Sequence, residues 1–447
     1  MTRVHNLPLM LWAALLALAV TSCTEATAPA SASDPVAQPA PPPAGVSPPR
    51  PERPSPSPSP ACRQTVPRLA ADWARRLDRA IGAHSVGVAV GFRGRLLYGH
   101  GERRRRVPAS NQKLLLSMAL LDALGPDHRI PTNAAAGRVA GSIVPEDLWL
   151  IGAGDPTLSA NAPGYWGGVA ATTLDDLAAH IARSGITEVR GRVMASRTYF
   201  AHDLSAPGWQ PYVPGRFVQL PSELVVDGNN GGAPDPERAA AGALTQALRR
   251  AGVGVAGKPG AGRPPKRLKT VGAVHSQPLA EIVSYMNHSS NNFFAEMLAK
   301  LLGAESYGPP GTIAKGARAV TSWAKAHGVT VRANDGSGLS YSNRISPRAL
   351  VRLLGAAEGE PWGDHLRRGL PGAGEGTLRS RLFGLQVRAK TGTLFNGAST
   401  LSGWLRSRQN GRWISFSILG RNTPKFLEDR IVRIVSAARV RSGAPKC

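Results

Sequence analysis

The sequence predicts an α/β protein: one antiparallel sheet flanked by helices and interrupted by a large inserted domain. Three observations predict it. The folded part opens with a helical pattern and two strand-like runs; it closes with three strand-like runs and a helical pattern; and the long middle carries its own short strands and turns. Elements of this kind at the two ends of a chain can complete one sheet, with both end helices on the same face.

Taken in order, Arg3 and His5 precede "LPLMLWAALLALAV", an apolar run too short for a comfortable membrane span but suited to a signal-peptide core. Residues 1–22 therefore read as a signal peptide and the mature chain as exported. The run ends in "VTSC", which resembles a bacterial lipobox and marks Cys23 for lipidation; ordinary cleavage after "ATA", at Ala28, is the competing reading. Residues 23–62 hold the anchor cysteine and a Pro, Ala and Ser stretch with almost nothing large to bury, an extended polyproline-like spacer. Once Cys23 is set aside, Cys62 and Cys447 remain. An even pair in an exported chain suggests a disulfide, against the alternative of two free terminal thiols.

Folded sequence begins near Cys62. In "RLAADWARRLDRAI" the residues Leu69, Trp73, Leu77 and Ile81 share one helical face. "SVGVAVGF" and "RLLYGHG" flank an Arg93-Gly94 turn and read as a hairpin. A second helix opens at "VPASNQKLLL", where Pro108 suits a helix start. Residues 63–125 form the first part of the core and residues 126–268 the inserted domain, with strand-like "LWLIGAGDPTL", "ITEVRGRVMA" and "FVQLPSELVVDGNNGG". The second part of the core spans residues 269–447. There Asn396-Gly397 and Asn410-Gly411 separate strand-like runs, the strongest short hairpin signal. The amphipathic "KFLEDRIVRIVSAARV" closes it.

The formal net charge is +25, from 54 Lys and Arg against 29 Asp and Glu. Such a balance favours anionic surroundings, whether nucleic acid, membrane surface or wall polymer. No zinc-finger spacing and no basic region leading into heptads is present, and arginines are scattered through every segment, so a nucleic-acid partner is not expected. "RRRR" at 103–106 reads as a solvated loop in preference to a docking patch.

Three short motifs carry chemistry. Ser110 and Lys113, three residues apart, share a helix face, and a lysine in a partly desolvated mouth can act as a base towards a neighbouring hydroxyl. Ser290 and Asn292, in "NHSSNNFFAEML", would face one side of a locally extended loop. Lys390, Thr391, Gly392 and Thr393 lie in a strand, where the glycine would let a substrate backbone approach. There the cation and hydroxyls can hold a carboxylate. The amides of Thr393 and Ser110 could form an oxyanion hole.

Together these motifs are the signature of penicillin-binding proteins and serine β-lactamases. The chain resembles the class C low-molecular-mass penicillin-binding proteins, the D-alanyl-D-alanine carboxypeptidase/endopeptidase family, through most of residues 65–440: "RVPASNQKLL", "LWLIGAGDPTL", "APGW", "SSNNFFAEML", "DGSGLS", "LPGAGEGTLRSRL" and "RAKTGTL". The resemblance implies a DD-peptidase/serine β-lactamase-like core, an antiparallel sheet flanked by helices plus a helical subdomain, with a large insertion between the first two motifs. It implies Ser110 as the acylated nucleophile, Lys113 as its base, Ser290 as proton shuttle and Asn292 as holder of the substrate amide. Lys390, Thr391 and Thr393 would receive the terminal carboxylate and the oxyanion. Its partners would be peptidoglycan stem peptides, with β-lactams as covalent inhibitors and the membrane reached through the lipid anchor. The 177 positions from Lys113 to Ser290 are fewer than two nested insertions need, so one is expected to be reduced or missing.

Two departures fall on side-chain recognition. Many members have an Asp before an "SYF"-like segment and an Arg after "DGSGLS", and both help hold a diaminopimelate side chain. Here Ser196 and Tyr341 take those places. Two rivals remain: a serine β-lactamase, whose class A type needs a glutamate in an E-x-x-L-N-like loop that is not found here, and a non-catalytic muropeptide or β-lactam binder. Asp155 reads as an Asx-turn residue rather than a catalytic acid, Asp335 as a turn residue or a border of the site, and His288 as a surface or packing residue. No cofactor or metal is expected, because no His or carboxylate cluster has ligand spacing.

Overall fold

The computed structural model describes residues 71–438. Cys23, Cys62 and Cys447, with the signal and spacer segments, lie outside the described residues. The core is a five-stranded antiparallel sheet in the order Val387–Thr393, Ala398–Arg406, Trp413–Arg421, Val86–Phe92 and Arg95–His100. The strand Trp413–Arg421 pairs with Val86–Phe92, Val88 opposite Ile418, so the two ends of the chain close one sheet.

Side-chain alternation decides what covers each face. Val86, Val88 and Val90 point to one side and are buried against Trp73, Leu77 and Ile81 of the helix Ala71–Ile81 and Leu427, Ile431 and Val435 of the helix Lys425–Ser436. Each such side chain, fully buried, stabilises by roughly 1.5–3 kcal/mol. Trp73 Nε1 donates to the Ile434 carbonyl at 2.6 Å and ties the end helices together. On the other face stand Gly87 and Gly91. A Cβ on Gly91 would lie 2.3 Å from Val351 Cγ1, and one on Gly87 3.0 Å from Pro347 Cγ, so the glycines let the helix Pro347–Ala357 seat directly on the sheet.

Beyond that helix lies a helical layer. The helix Gln112–Leu124 is buried on every side from Gln112 to Leu121, as expected of a helix apolar all round. It packs among the helices Leu279–Ser289, Asn292–Tyr307 and Ile313–Ala326.

The insertion has its own core and sheet, in the order Gly260–Gly262, Val193–Ser196, Leu148–Gly152, Pro131–Ala136 and Lys269–His275, against the helices Leu174–Arg183 and Pro236–Arg250. Lys269–His275 runs antiparallel to Pro131–Ala136, so the insertion returns through a strand. The boundary expected at 268/269 lies past His275. The run "FVQLPSELVVDGNNGG" forms no strand. Its apolar residues Val218, Leu224 and Val225 are buried in irregular backbone that ends in a 3-10 turn, Asp227–Asn229. Apolar character there signals burial rather than pairing. Among the described residues no helix is long and apolar enough to cross a membrane.

Candidate active site

The turn that carries Ser110 is gripped from three sides. Ala109 has φ 47°, a left-handed conformation that costs a non-glycine residue about 1–3 kcal/mol and persists only where its surroundings hold it. The Thr400 hydroxyl donates to the Pro108 carbonyl at 2.9 Å. A Cβ on Gly392 would lie 2.9 Å from the Ser110 nitrogen, and one on Gly338 would lie 1.9 Å from the Ala109 carbonyl oxygen. Gly392 was expected to make room for substrate; the space its side chain would need is instead taken by the Thr400 hydroxyl and by the turn that carries Ser110.

Lys113 is fully buried at the mouth of its helix. Its Nζ donates to Asn292 Oδ1 at 2.8 Å and to the Ser337 carbonyl at 2.7 Å, and lies 3.3 Å from Ser110 Oγ. Burial pushes the ammonium down to about 8, against the opposing pull of Glu296 and Asp335. Two of its three partners are oxygens that only accept. When the ammonium loses a proton, its remaining N–H groups stay on those acceptors, and the lone pair is left facing Ser110 Oγ.

Ser290 does not sit in an extended loop, as the sequence suggested. It is a left-handed joint (φ 57°) between the helices Leu279–Ser289 and Asn292–Tyr307. Asn291 caps the second helix by accepting from the Phe294 N–H at 3.0 Å. The sharp joint lets Ser290 accept from Lys390 Nζ at 2.9 Å, while Asn292, on the first turn, meets Lys113. Lys390 is fully buried and also donates to the Thr391 carbonyl. Burial, and then the charges of Lys113 and Lys425, hold it well below the usual lysine range.

The strand Val387–Thr393 is an edge strand. The Ala389 N–H donates outward to the Pro371 carbonyl, so the amides of Thr391 and Thr393, in the same phase, also face away from the sheet. Beyond Pro371 that edge can take an extended peptide. Thr391 is half-buried and Thr393 exposed.

Three residues that the sequence reading missed, or left open between a turn and a border of the site, hold Lys113 and its turn in place. Glu296, fully buried, accepts from the Gly336 and Ser337 N–H groups at 3.1 and 2.8 Å, so it fixes the carbonyl that receives Lys113. Asp335 accepts from the Gly338 and Ser340 N–H groups, from Asn343 Nδ2 and from Trp209 Nε1. Burial and the Asp335 charge push Glu296 up to about 7. Asn111 Nδ2 donates to Ser402 Oγ, which bonds to Ser417, anchoring the turn to the sheet. A signal for Glu296 was present. Asn292, Glu296 and Lys300 recur every four residues with only apolar residues between them, and Lys300 is also fully buried.

Tyr341 and Ser196 separate. Tyr341 hydrogen-bonds Tyr212 through the two hydroxyls at 2.8 Å, and both line a cavity of about 260 Å3 with Val213, Phe217, Leu339 and Thr393. Burial and the Tyr212 bond push the Tyr341 hydroxyl up to about 12. Ser196 is 1% exposed, inside the insertion, and donates to Glu223 Oε1 at 2.6 Å. It is withdrawn from solvent and is not a substrate contact. Asp155 makes the Asx turn, accepting from the Thr157 N–H at 2.8 Å. His288 is held below its usual range, chiefly by burial. Among the described residues no cluster of three or more His, Cys, Asp or Glu is arranged to hold a metal ion.

Residues 70–231 and 219–438 match the D-Ala-D-Ala carboxypeptidase 3 (S13) family. The chain is 30% identical over 443 residues to a D-alanyl-D-alanine carboxypeptidase of Actinomadura sp. (strain R39), covering 77% of this chain and 80% of that protein. It is 33% identical over 342 residues to a carboxypeptidase of Mycobacterium tuberculosis, covering 70% of each. Penicillin binding protein 4 of Haemophilus influenzae, at 20% identity, superposes with a TM-score of 0.67 over 81% of this chain and 98% of its own, and so shares the fold.

Proposed function

The chain belongs to the D-Ala-D-Ala carboxypeptidase 3 (S13) family, and from that premise we propose how its residues divide the work of a serine-type D-alanyl-D-alanine carboxypeptidase. The enzyme acts on the D-Ala-D-Ala ends of peptidoglycan stem peptides, outside the cytoplasm. Ser110 Oγ attacks the penultimate D-Ala carbonyl as its proton passes to Lys113. The Ser110 and Thr393 N–H groups receive the oxyanion. The C–N bond then breaks, and the departing D-alanine amine takes a proton delivered through Ser290, leaving an acyl-Ser110. Asn292 holds both Lys113 and the substrate amide, and Lys390 with Thr391 receives the terminal carboxylate. Water then hydrolyses the ester and regenerates the hydroxyl. The same steps cut a cross-link when the leaving amine belongs to a second peptide.

The observation that carries this reading is the Lys113 geometry: two obligate acceptors on the amine leave only the Ser110 direction for its lone pair. A β-lactam presents the same kind of carbonyl and should acylate the same oxygen. The test is penicillin labelling followed by peptide mapping. The adduct is expected on the tryptic peptide holding Ser110, and Ser110→Ala should remove it with the fold retained. Labelling elsewhere, or undiminished labelling of the variant, would refute the assignment.

Lipidation at Cys23 and a Cys62–Cys447 disulfide complete the proposal. Both are supported only by sequence: the lipobox-like "VTSC" and the even cysteine pair of an exported chain. The intact mass of the exported protein, before and after reduction and alkylation, checks both at once. An unlipidated mass, or two thiols alkylated without reduction, would remove the corresponding claim.

A further inference from the structure

The arginine run read from sequence as a solvated loop has a different surrounding in the fold. Arg104, Arg105 and Arg106 meet Arg344 and Arg421 around a concavity of about 260 Å3, closed by Ser85 and by the Asn396–Ala398 turn. Three separate chain segments thus bring five arginines to one hollow. None of its lining residues is an Asp or Glu, and among the described residues none of the five arginines forms an ion pair. The neighbouring Arg103, outside the hollow, is the one that pairs with Glu102.

Two of the five are fixed in advance. Arg106 donates from its NH1 nitrogen to the Ser85 carbonyl at 3.2 Å, and Arg344 donates from its NH1 nitrogen to the Tyr341 and Asn343 carbonyls at 2.6 and 2.8 Å. Neutral acceptors orient these groups without cancelling their charge. Arg106 also has a buried Nε with no partner, and burial together with the Arg104 charge holds its pKa below the usual range. The protein therefore keeps like charges crowded and unneutralised at one point of its surface, an arrangement that a bound anion relieves.

We propose that this concavity is a second, non-catalytic binding site for a phosphodiester group. Guanidinium forks match phosphate oxygens in bidentate pairs. The volume is below the roughly 300–1,000 Å3 of pockets for drug-sized ligands, and suits one phosphate with its flanking carbons. The site is distinct from the peptide groove, but Arg106 is four residues before Ser110, and Asn396 follows the motif strand by three. A phosphodiester held here tethers the catalytic groove beside the anionic material that carries it. Phosphodiesters of this kind occur in soluble wall polymers and in lipid headgroups.

The test uses the full chain, a soluble glycerol phosphate oligomer, and vesicles of phosphatidylglycerol or phosphatidylcholine. Arg104, Arg105 and Arg421 are exposed and have no side-chain hydrogen-bond partner among the described residues, so replacing all three by Ala should leave folding intact, which circular dichroism checks. The control is the triple Ala variant of Arg138, Arg263 and Arg267, exposed arginines outside the concavity, which removes the same charge. Calorimetry should show the oligomer bound by the parent and by the control, with affinity reduced at least about tenfold in the concavity variant. Binding of phosphatidylglycerol vesicles but not the oligomer, lost in the same variant, would keep the site and assign its ligand to lipid. Equal losses in the two triple variants would mean only non-specific attraction to a basic protein and would overturn the proposal. So would failure of both phosphodiester probes to bind the parent.

Discussion

Gly338 comes so close to Ala109 that a Cβ on the glycine would lie 1.9 Å from the alanine carbonyl oxygen. Gly338 also has φ 86°, which a side chain resists. The loop Asp335–Ser340 and the turn that carries Ser110 thus touch backbone to backbone, with Lys113 held between them through the Ser337 carbonyl. Replacing Gly338 by Ala must push one backbone off the other. Shifts near 1 Å at reacting groups can cost about 100-fold. Gly338→Ala should therefore lower the rate of penicillin acylation by about that factor, while circular dichroism stays native. A folded variant acylated at the parental rate would show that this contact does not set the Ser110 geometry.

The pH dependence follows from Lys113. Burial lowers it from its usual value to about 8, and in the proposed role the amine must be neutral to accept the Ser110 proton. At pH 7 roughly one molecule in ten then holds a neutral Lys113, against about one in three thousand for an unshifted lysine. The acylation rate constant should rise with pH and level off above a midpoint near 8. Stopped-flow acylation across pH 6–10 measures it. A profile that falls over this range, or stays flat, would point to a charged Lys113 in the rate-limiting step.

Glu296 should act through Lys113 rather than on substrate. Its charge opposes the loss of the Lys113 proton, and its two oxygens hold the Gly336 and Ser337 amides. Glu296→Gln removes the charge and leaves a single carbonyl oxygen for two N–H groups. The acylation midpoint is expected to move to lower pH, because the ammonium loses a stabilising neighbour. The plateau rate should fall, because the carbonyl that fixes Lys113 is held less well. A purely structural role would lower the plateau and leave the midpoint in place.

The sheet was legible because its signals are local. Asn396-Gly397 and Asn410-Gly411 mark turns wherever they occur, and the alternation of valine and glycine in "SVGVAVGF" already encodes one face under the end helices and another under a closely seated helix. Ser110, Lys113, Ser290, Asn292 and Lys390 could be picked out because their residue types and order are specific, and the fold joins them by hydrogen bonds. Glu296 escaped, and Asp335 stayed open between a turn and a border of the site, for the opposite reason. Glu296 meets the Gly336 and Ser337 amides about forty residues on, and Asp335 meets Trp209 across 126, so only the tertiary fold brings these partners together. Ser196 was misplaced because matching by position inside an insertion fixes neither register nor facing. The run from 217 to 227 failed as a strand because a buried irregular segment is as apolar as a buried strand.

The cavity beside Thr393 bears on which stem peptide is preferred. An extended peptide on the open strand edge, with its carboxylate near Lys390, carries its upstream residues past Thr393 towards Leu394 and Phe395. There it meets Tyr212, Phe217, Leu339 and Tyr341, and no charged side chain lines the space. The Tyr341 hydroxyl is bonded to Tyr212 and stays protonated at ordinary pH, so it offers hydrogen bonds but no counter-charge. Burying an unpaired charge costs several kcal/mol, part of which a long side chain escapes by keeping its head in water. A D-Ala-D-Ala peptide whose upstream residue bears a short side-chain amine should therefore turn over at least about tenfold more slowly, in kcat/KM, than the same peptide with that amine acetylated. Tyr341→Arg should bring a cation to the cavity and shift the preference towards a carboxylate-bearing side chain. The measurement is D-alanine release from the three peptides by both proteins. Equal kcat/KM for free and acetylated amines in the parent would mean the side chain does not enter this cavity. A parental preference left unchanged by Tyr341→Arg would place the discrimination elsewhere along the groove.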